Sequence, residues 1–150
     1  TSIDLVTLLQ ECRYIFSDSV NKKGIEFNTI FDQPKILINS DVNILHKVLC
    51  NVIDNSIKYT NEGKVDIMVS ETANQAIIKI QDTGIGIPQE GINHIFEPFR
   101  QGSEGLNRKY EGMGLGLTIT KKYVELLGGK LAIESEQGKG TLITITLPKK

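Results

Sequence analysis

Asn51-Val-Ile-Asp-Asn55-Ser-Ile-Lys58-Tyr59 closes the clearest helical segment of the chain, which begins at Asp41. Leu45, Val48, Leu49, Val52, Ile53 and Ser56 recur at i, i+3, i+4 spacing and make one broad apolar stripe. Asn51, Asn55 and Lys58 follow at i, i+4, i+7, on a face that borders the stripe. The helix therefore carries polar side chains at the rim of a core. Neutral Asn carbonyls can ligate magnesium, which prefers oxygen. A lysine meets phosphate as a compact cation, and Tyr59 offers a flat ring with a hydroxyl. For any single Asn, an ordinary polar helix edge is the simpler reading.

The neighbouring segments alternate between two periods. Residues near 6–20 read as a helix with Leu8, Leu9, Cys12 and Ile15 as its stripe, ended by Gly24, and Ile25–Ile30 reads as a strand. Val65, Ile67 and Val69 alternate, as do Ala76, Ile78 and Ile80, with turns at Asn61-Glu-Gly63 and Thr72-Ala-Asn74. Leu115–Leu127 reads as a helix stopped by Gly128-Gly129. Lys130–Glu134 and Thr141–Leu147 are the last strands, joined through Gln137-Gly-Lys-Gly140. Helices in the front and middle with hairpin-linked strands behind predict an α+β fold, a two-layer sandwich whose mixed, mostly antiparallel sheet is covered by helices on one face.

Three further motifs lie downstream. Asp82-Thr-Gly84-Ile-Gly86 ends a strand, and the alternation puts Asp82 on the buried face with Ile78 and Ile80. A carboxylate there needs a donor to offset its desolvation, and an adenine amine would serve. Gly84 and Gly86 permit a sharp turn and close approach to a base, although an ordinary Asp-Thr-Gly turn has the same letters. Phe96-Glu-Pro-Phe99 puts two rings in an otherwise polar stretch. Gly112-Met-Gly114-Leu-Gly116-Leu opens a helix, where backbone N–H groups favour anions. Its spacing is neither the Rossmann nor the Walker pattern, and helix packing alone would also call for glycine. Between Gly86 and Gly112 periodicity fails, which predicts a lid over a ligand at about 87–112.

The bulk properties narrow the classes. The 150 residues suit one domain, 1–150, large enough for a core. Hydrophobic content of 39% and charged content of 23% are ordinary for a soluble globular chain. A net charge of -1 argues against a nucleic-acid or membrane surface. No apolar run reaches the length of a membrane span, and Thr1-Ser-Ile-Asp is no signal peptide. It also lacks an initiator Met, so the expectation is a piece of a longer protein, with any membrane segment outside it. Cys12 and Cys50 have no metal-ligand spacing in sequence, His46 notwithstanding, and read as reduced thiols in helical cores of a cytoplasmic protein.

The four motifs, in order, resemble the N box, first glycine box, F box and second glycine box of the ATP-binding catalytic domain of sensor histidine kinases. Those kinases share a superfamily with DNA gyrase, the mismatch-repair ATPases and a heat-shock chaperone. The resemblance runs from Ser2-Ile-Asp-Leu5 to Ile143-Thr-Ile-Thr-Leu-Pro148. It implies a Bergerat-type ATP-binding fold with a long lid, and ATP and Mg2+ as ligands. It further implies that Asn55 holds magnesium, that Lys58 contacts phosphate, and that Asn51 and Tyr59 line the site. Asp82 would recognise adenine with help from Thr141, and Gly84, Gly86, Gly112, Gly114, Leu115 and Gly116 would complete the nucleotide site. Many members carry an arginine one position after Arg100, where this chain has Gln101. The contact to the terminal phosphate therefore lies among Arg100, Arg108 and Lys109. Met113 stands where many relatives have Thr.

The branch of the superfamily follows from the same positions. ATP-hydrolysing members carry an acid four residues before the magnesium Asn, as a general base for water. That position is Asn51 here, and Lys58 stands where those members have an Asp. The resemblance therefore implies a protein histidine kinase that leaves the nucleophile to a partner. Its partners would be a histidine-bearing dimerisation domain of the same parent protein and, indirectly, a response-regulator receiver domain, with the fragment itself monomeric. His46 and His94 are the two histidines, and neither has an acceptor's sequence setting. A serine kinase of the anti-sigma type and a nucleotide-holding regulatory module remain the alternatives.

Overall fold

The structure, a computed structural model, describes residues 2–87 and 117–150. The expected lid, the F box and the second glycine box lie outside the described residues. Each of the first two helices starts at an aspartate. Asp4 ends β1 (Ser2–Asp4) and caps α1 (Leu5–Lys23) by accepting from the Val6 N–H at 3.1 Å. Gly24, at φ 71°, closes α1 with its N–H on the Val20 and Asn21 carbonyls. Asp41 caps α2 (Val42–Lys58) through the Asn43 and Ile44 N–H groups.

The other end of α2 is capped from outside. The Lys23 Nζ donates to the carbonyls of Ile57 at 2.7 Å, Lys58 at 2.9 Å and Thr60 at 3.2 Å. A cation here meets the negative end of the helix dipole and satisfies orphan carbonyls. One side chain thus ties the end of α1 to the end of α2.

The main sheet has the order β2-β4-β5-β7-β6, from β2 (Glu26–Phe31), β4 (Lys64–Glu71), β5 (Gln75–Asp82), β6 (Lys130–Glu136) and β7 (Gly140–Pro148). The β2–β4 pair is parallel and the other three pairs are antiparallel. β3 (Leu37–Asn39) pairs with β1 in a separate two-stranded ladder. Residues 117–126 form α3, which ends before Gly128 at φ 83°. One sheet face, with Ile67, Val69, Ile78, Ile80, Ile143 and Ile145, is buried with the stripes of α1 and α2. The opposite face carries exposed residues such as Lys79 and Gln81. This is the expected two-layer α+β sandwich.

Two readings change. Ile15 is 53% exposed, and Phe16 packs against the core in its place. Both positions satisfy a helical period after Cys12, and only tertiary contact decides between them. The small β1–β3 ladder was not predicted, because three residues are too few to alternate visibly.

Candidate active site

The C-terminal half of α2, the end of β5 and the start of β7 converge. Asp82 and Thr141 are register partners across the β5–β7 pair. Asp82 is only 6% exposed. Its Oδ1 accepts from the Gly84 N–H at 2.9 Å and from the Thr141 N–H at 3.2 Å. Burial pushes the Asp82 carboxyl above its ordinary value, and the Gly84 and Thr141 N–H groups with the Ser56 hydroxyl oppose that only in part. The donors expected from a ligand are thus supplied to one oxygen by the protein itself.

The loop after Asp82 is pinned on both sides. The Ile85 N–H donates to the Tyr59 carbonyl at 3.1 Å, at the end of α2. From the β6–β7 turn, the Gly138 N–H donates to the Ile85 carbonyl at 2.7 Å. The Ser135 hydroxyl accepts from the Ile87 N–H at 2.7 Å and stands 2.8 Å from the Thr141 hydroxyl. A side chain at Gly84 would meet the Tyr59 carbonyl, and one at Gly86, at φ 70°, would meet the Glu136 carbonyl. The glycines are therefore required by the protein's own backbone.

On α2, Asn51 and Asn55 are half-buried. Their side chains make no hydrogen bond among the described residues. The Lys58 side chain is 62% exposed, with Asp54 at 3.9 Å. An exposed pair at that distance contributes little and leaves the ammonium available to an anion. Tyr59 is the half-buried C-cap of α2 and packs against the core. The structure thus brings together Ser56, Tyr59, Asp82, Gly84, Gly86 and Thr141, with Asn55 one residue from Ser56. Arg100, Gly112, Gly114, Leu115 and Gly116 lie outside the described residues.

Sequence reasoning did not single out Ser56 and Ser135, which stand beside Asp82 and Thr141 in the candidate site. A serine within an otherwise apolar stripe was the available signal for Ser56. Ser135 shows only ordinary strand alternation. Cys12 and Cys50 are free thiols on the helices, as expected, and α1 and α2, packed side by side, also bring His46 beside them in one cluster.

Residues 40–150 match the family described as histidine kinase-, DNA gyrase B- and HSP90-like ATPase. The chain belongs to this family. It is 35% identical over 151 residues to hybrid signal transduction histidine kinase B of Dictyostelium discoideum, an alignment that covers 96% of this chain and 8% of that protein. It is 37% identical over 140 residues to the autoinducer 2 sensor kinase/phosphatase LuxQ of Vibrio cholerae, covering 89% and 16%. The chain spans under a fifth of either relative. The nucleotide-free catalytic domain of histidine kinase ThkA superposes with a TM-score of 0.84 at 27% identity, covering 99% of this chain and 96% of that one. Full-length ShkA in complex with AMPPNP gives 0.85 at 28%, covering 99% and 30%. The domain is of the histidine-kinase catalytic type, with the expected fold. No helix among the described residues is long and apolar enough to cross a membrane.

Proposed function

We propose that this domain binds Mg-ATP and passes the γ-phosphoryl group to a histidine on a separate dimerisation domain of a two-component sensor kinase. The observation that carries the reading is Asp82. A buried carboxylate, fixed through Oδ1 by two backbone N–H groups, is a pre-oriented acceptor for an adenine amine. Thr141 flanks it, and Tyr59 lines the approach.

The donor set near Asn55 suits magnesium, because Asn51 and Asn55 offer neutral amide oxygens without internal partners among the described residues. When bound, the metal would neutralise charge on the phosphates. Asn55 would hold it, and Lys58 and Arg100 would face the phosphates, alongside Gly112, Gly114, Leu115 and Gly116. Asn51 is a poor base for water, which suits a domain that keeps ATP for a protein acceptor. The acceptor nitrogen forms its bond to phosphorus as the bond to the ADP oxygen breaks. A response-regulator receiver domain would take the group next, and the compartment would be cytoplasmic.

The test supplies labelled ATP with and without a histidine-bearing helical acceptor domain. Acid-labile, alkali-stable label should appear on the acceptor and none on the chain itself. Replacement of Asn55 by Ala should lower transfer by roughly 100-fold or more, because even outer-sphere metal contacts are worth 10–100-fold. Label on serine, self-labelling at His46 or His94, or a folded Asn55→Ala variant with parental transfer would overturn the reading.

A further inference from the structure

Away from the nucleotide face, Cys12 of α1 meets His46 and Cys50 of α2. Their sulfur and ring-nitrogen atoms all lie within 4.8 Å of one another. Cys50 Sγ is 3.7 Å from each His46 ring nitrogen, one helical turn away. Cys12 is fully buried, whereas His46 and Cys50 are half-buried. The cluster thus has a dry floor and an opening to solvent.

We propose that Cys12, His46 and Cys50 form a binding site for a zinc-like cation. Two thiolates and an imidazole would be its protein ligands, and water its fourth. Thiolate and imidazole donors select zinc over magnesium or calcium. With Zn–S near 2.3 Å and Zn–N near 2.0–2.1 Å, tetrahedral angles separate sulfur from nitrogen by roughly 3.5 Å. Cys50 Sγ is equally far from both ring nitrogens, so the His46 ring would turn to aim one nitrogen lone pair at the ion, while the distance itself is already near that value. The ion would displace the thiol protons and bond α1 to α2, so its binding energy would add to the stability of the domain. The site uses none of the nucleotide-binding residues.

The experiment titrates the reduced, metal-free chain with Co2+ as a spectroscopic stand-in, then displaces it with Zn2+. Thiolate-to-cobalt charge-transfer bands should appear at one equivalent and vanish with zinc, and zinc should raise the melting temperature. Replacement of Cys12 or Cys50 by Ser, or of His46 by Ala, should each weaken binding by more than about 10-fold. Since a Cys12 variant can fail for lack of folding, the unsubstituted chain supplies a second readout. Zinc should protect both thiols from a thiol-reactive reagent, and a chelator should restore their reactivity. Absence of charge-transfer bands, equal cobalt binding by a folded Cys12→Ser/Cys50→Ser variant, or full thiol reactivity under saturating zinc would each overturn the proposal.

Discussion

Two neighbouring rows on the buried face of the sheet follow different rules. Ile67, Ile80, Ile143 and Ile133 form one row across β4, β5, β7 and β6. The next row is Val65, Asp82, Thr141 and Ser135. Both use the same pleat and strand order. In the first row, removal of apolar surface from water is sufficient, at about 1.5–3 kcal/mol for each fully buried side chain. In the second, a carboxylate and two hydroxyls are sheltered, and each needs a partner. The hydrogen bonds from Gly84, Thr141 and Ile87 supply partners. The apolar row holds the sheet to the helices. The polar row spends stability on sheltered polar groups, which singles out that end as the candidate site.

The largest effect is expected from breaking the apolar side of this comparison. Ile78 is fully buried, two residues from Ile80 on the same face. Replacement by Ala leaves a cavity and should cost about 2–5 kcal/mol of unfolding free energy, measured by denaturant titration. Nucleotide affinity of the fraction that stays folded should be unchanged. A selective loss of ATP binding with stability intact would show that the two rows do not divide the labour in this way.

Charge at Asp82 gives the next largest effect. In Asp82→Asn, the amide oxygen can still accept from Gly84 and Thr141, so the fold should survive. Affinity for ATP and ADP alike should fall about 10–100-fold, because a hydrogen bond to a charged group is worth about 1.5–3 kcal/mol. Stability should move the other way with pH. Burial raises the Asp82 carboxyl, so the folded protein binds that proton more readily than the unfolded chain. Ionisation above the ordinary carboxylate range then costs stability, and in acid the cost disappears. The variant should gain on the parent as pH rises to neutrality, in melting curves taken across that range. Loss of ATP alone would move Asp82 from the base towards the phosphates.

Much of this was legible from local pattern. Strand alternation put Asp82 on the buried face, and the α2 stripe set Asn51 and Asn55 at its rim, because both readings depend on neighbours a few residues apart. What could not be read depends on distant partners. Lys23 caps α2 across 34 residues, and Cys12 meets Cys50 only because α1 lies along α2. Asp82 was expected to need a ligand donor, whereas Thr141, 59 residues later, already donates to it. The choice of Phe16 over Ile15 was likewise made by packing.

The smallest effect tests the edge of the polar row, at a residue the sequence did not single out. The Ser135 hydroxyl accepts from the Ile87 N–H, donates to the Gly140 carbonyl and contacts the Thr141 hydroxyl. Ile87 is almost fully buried, so Ser135→Ala leaves its N–H without an acceptor in a place water reaches poorly. The cost should be about 1–2 kcal/mol of stability, below that of Ile78→Ala. Asp82 keeps its donors at Gly84 and Thr141, so the loss of nucleotide affinity should be smaller than in Asp82→Asn. Amide hydrogen exchange should rise at Ile87 while Ile80 and Ile143 stay protected. Equal deprotection of both rows would mean that the polar row is part of the same cooperative core, and that the glycine loop is not held by its own set of hydrogen bonds.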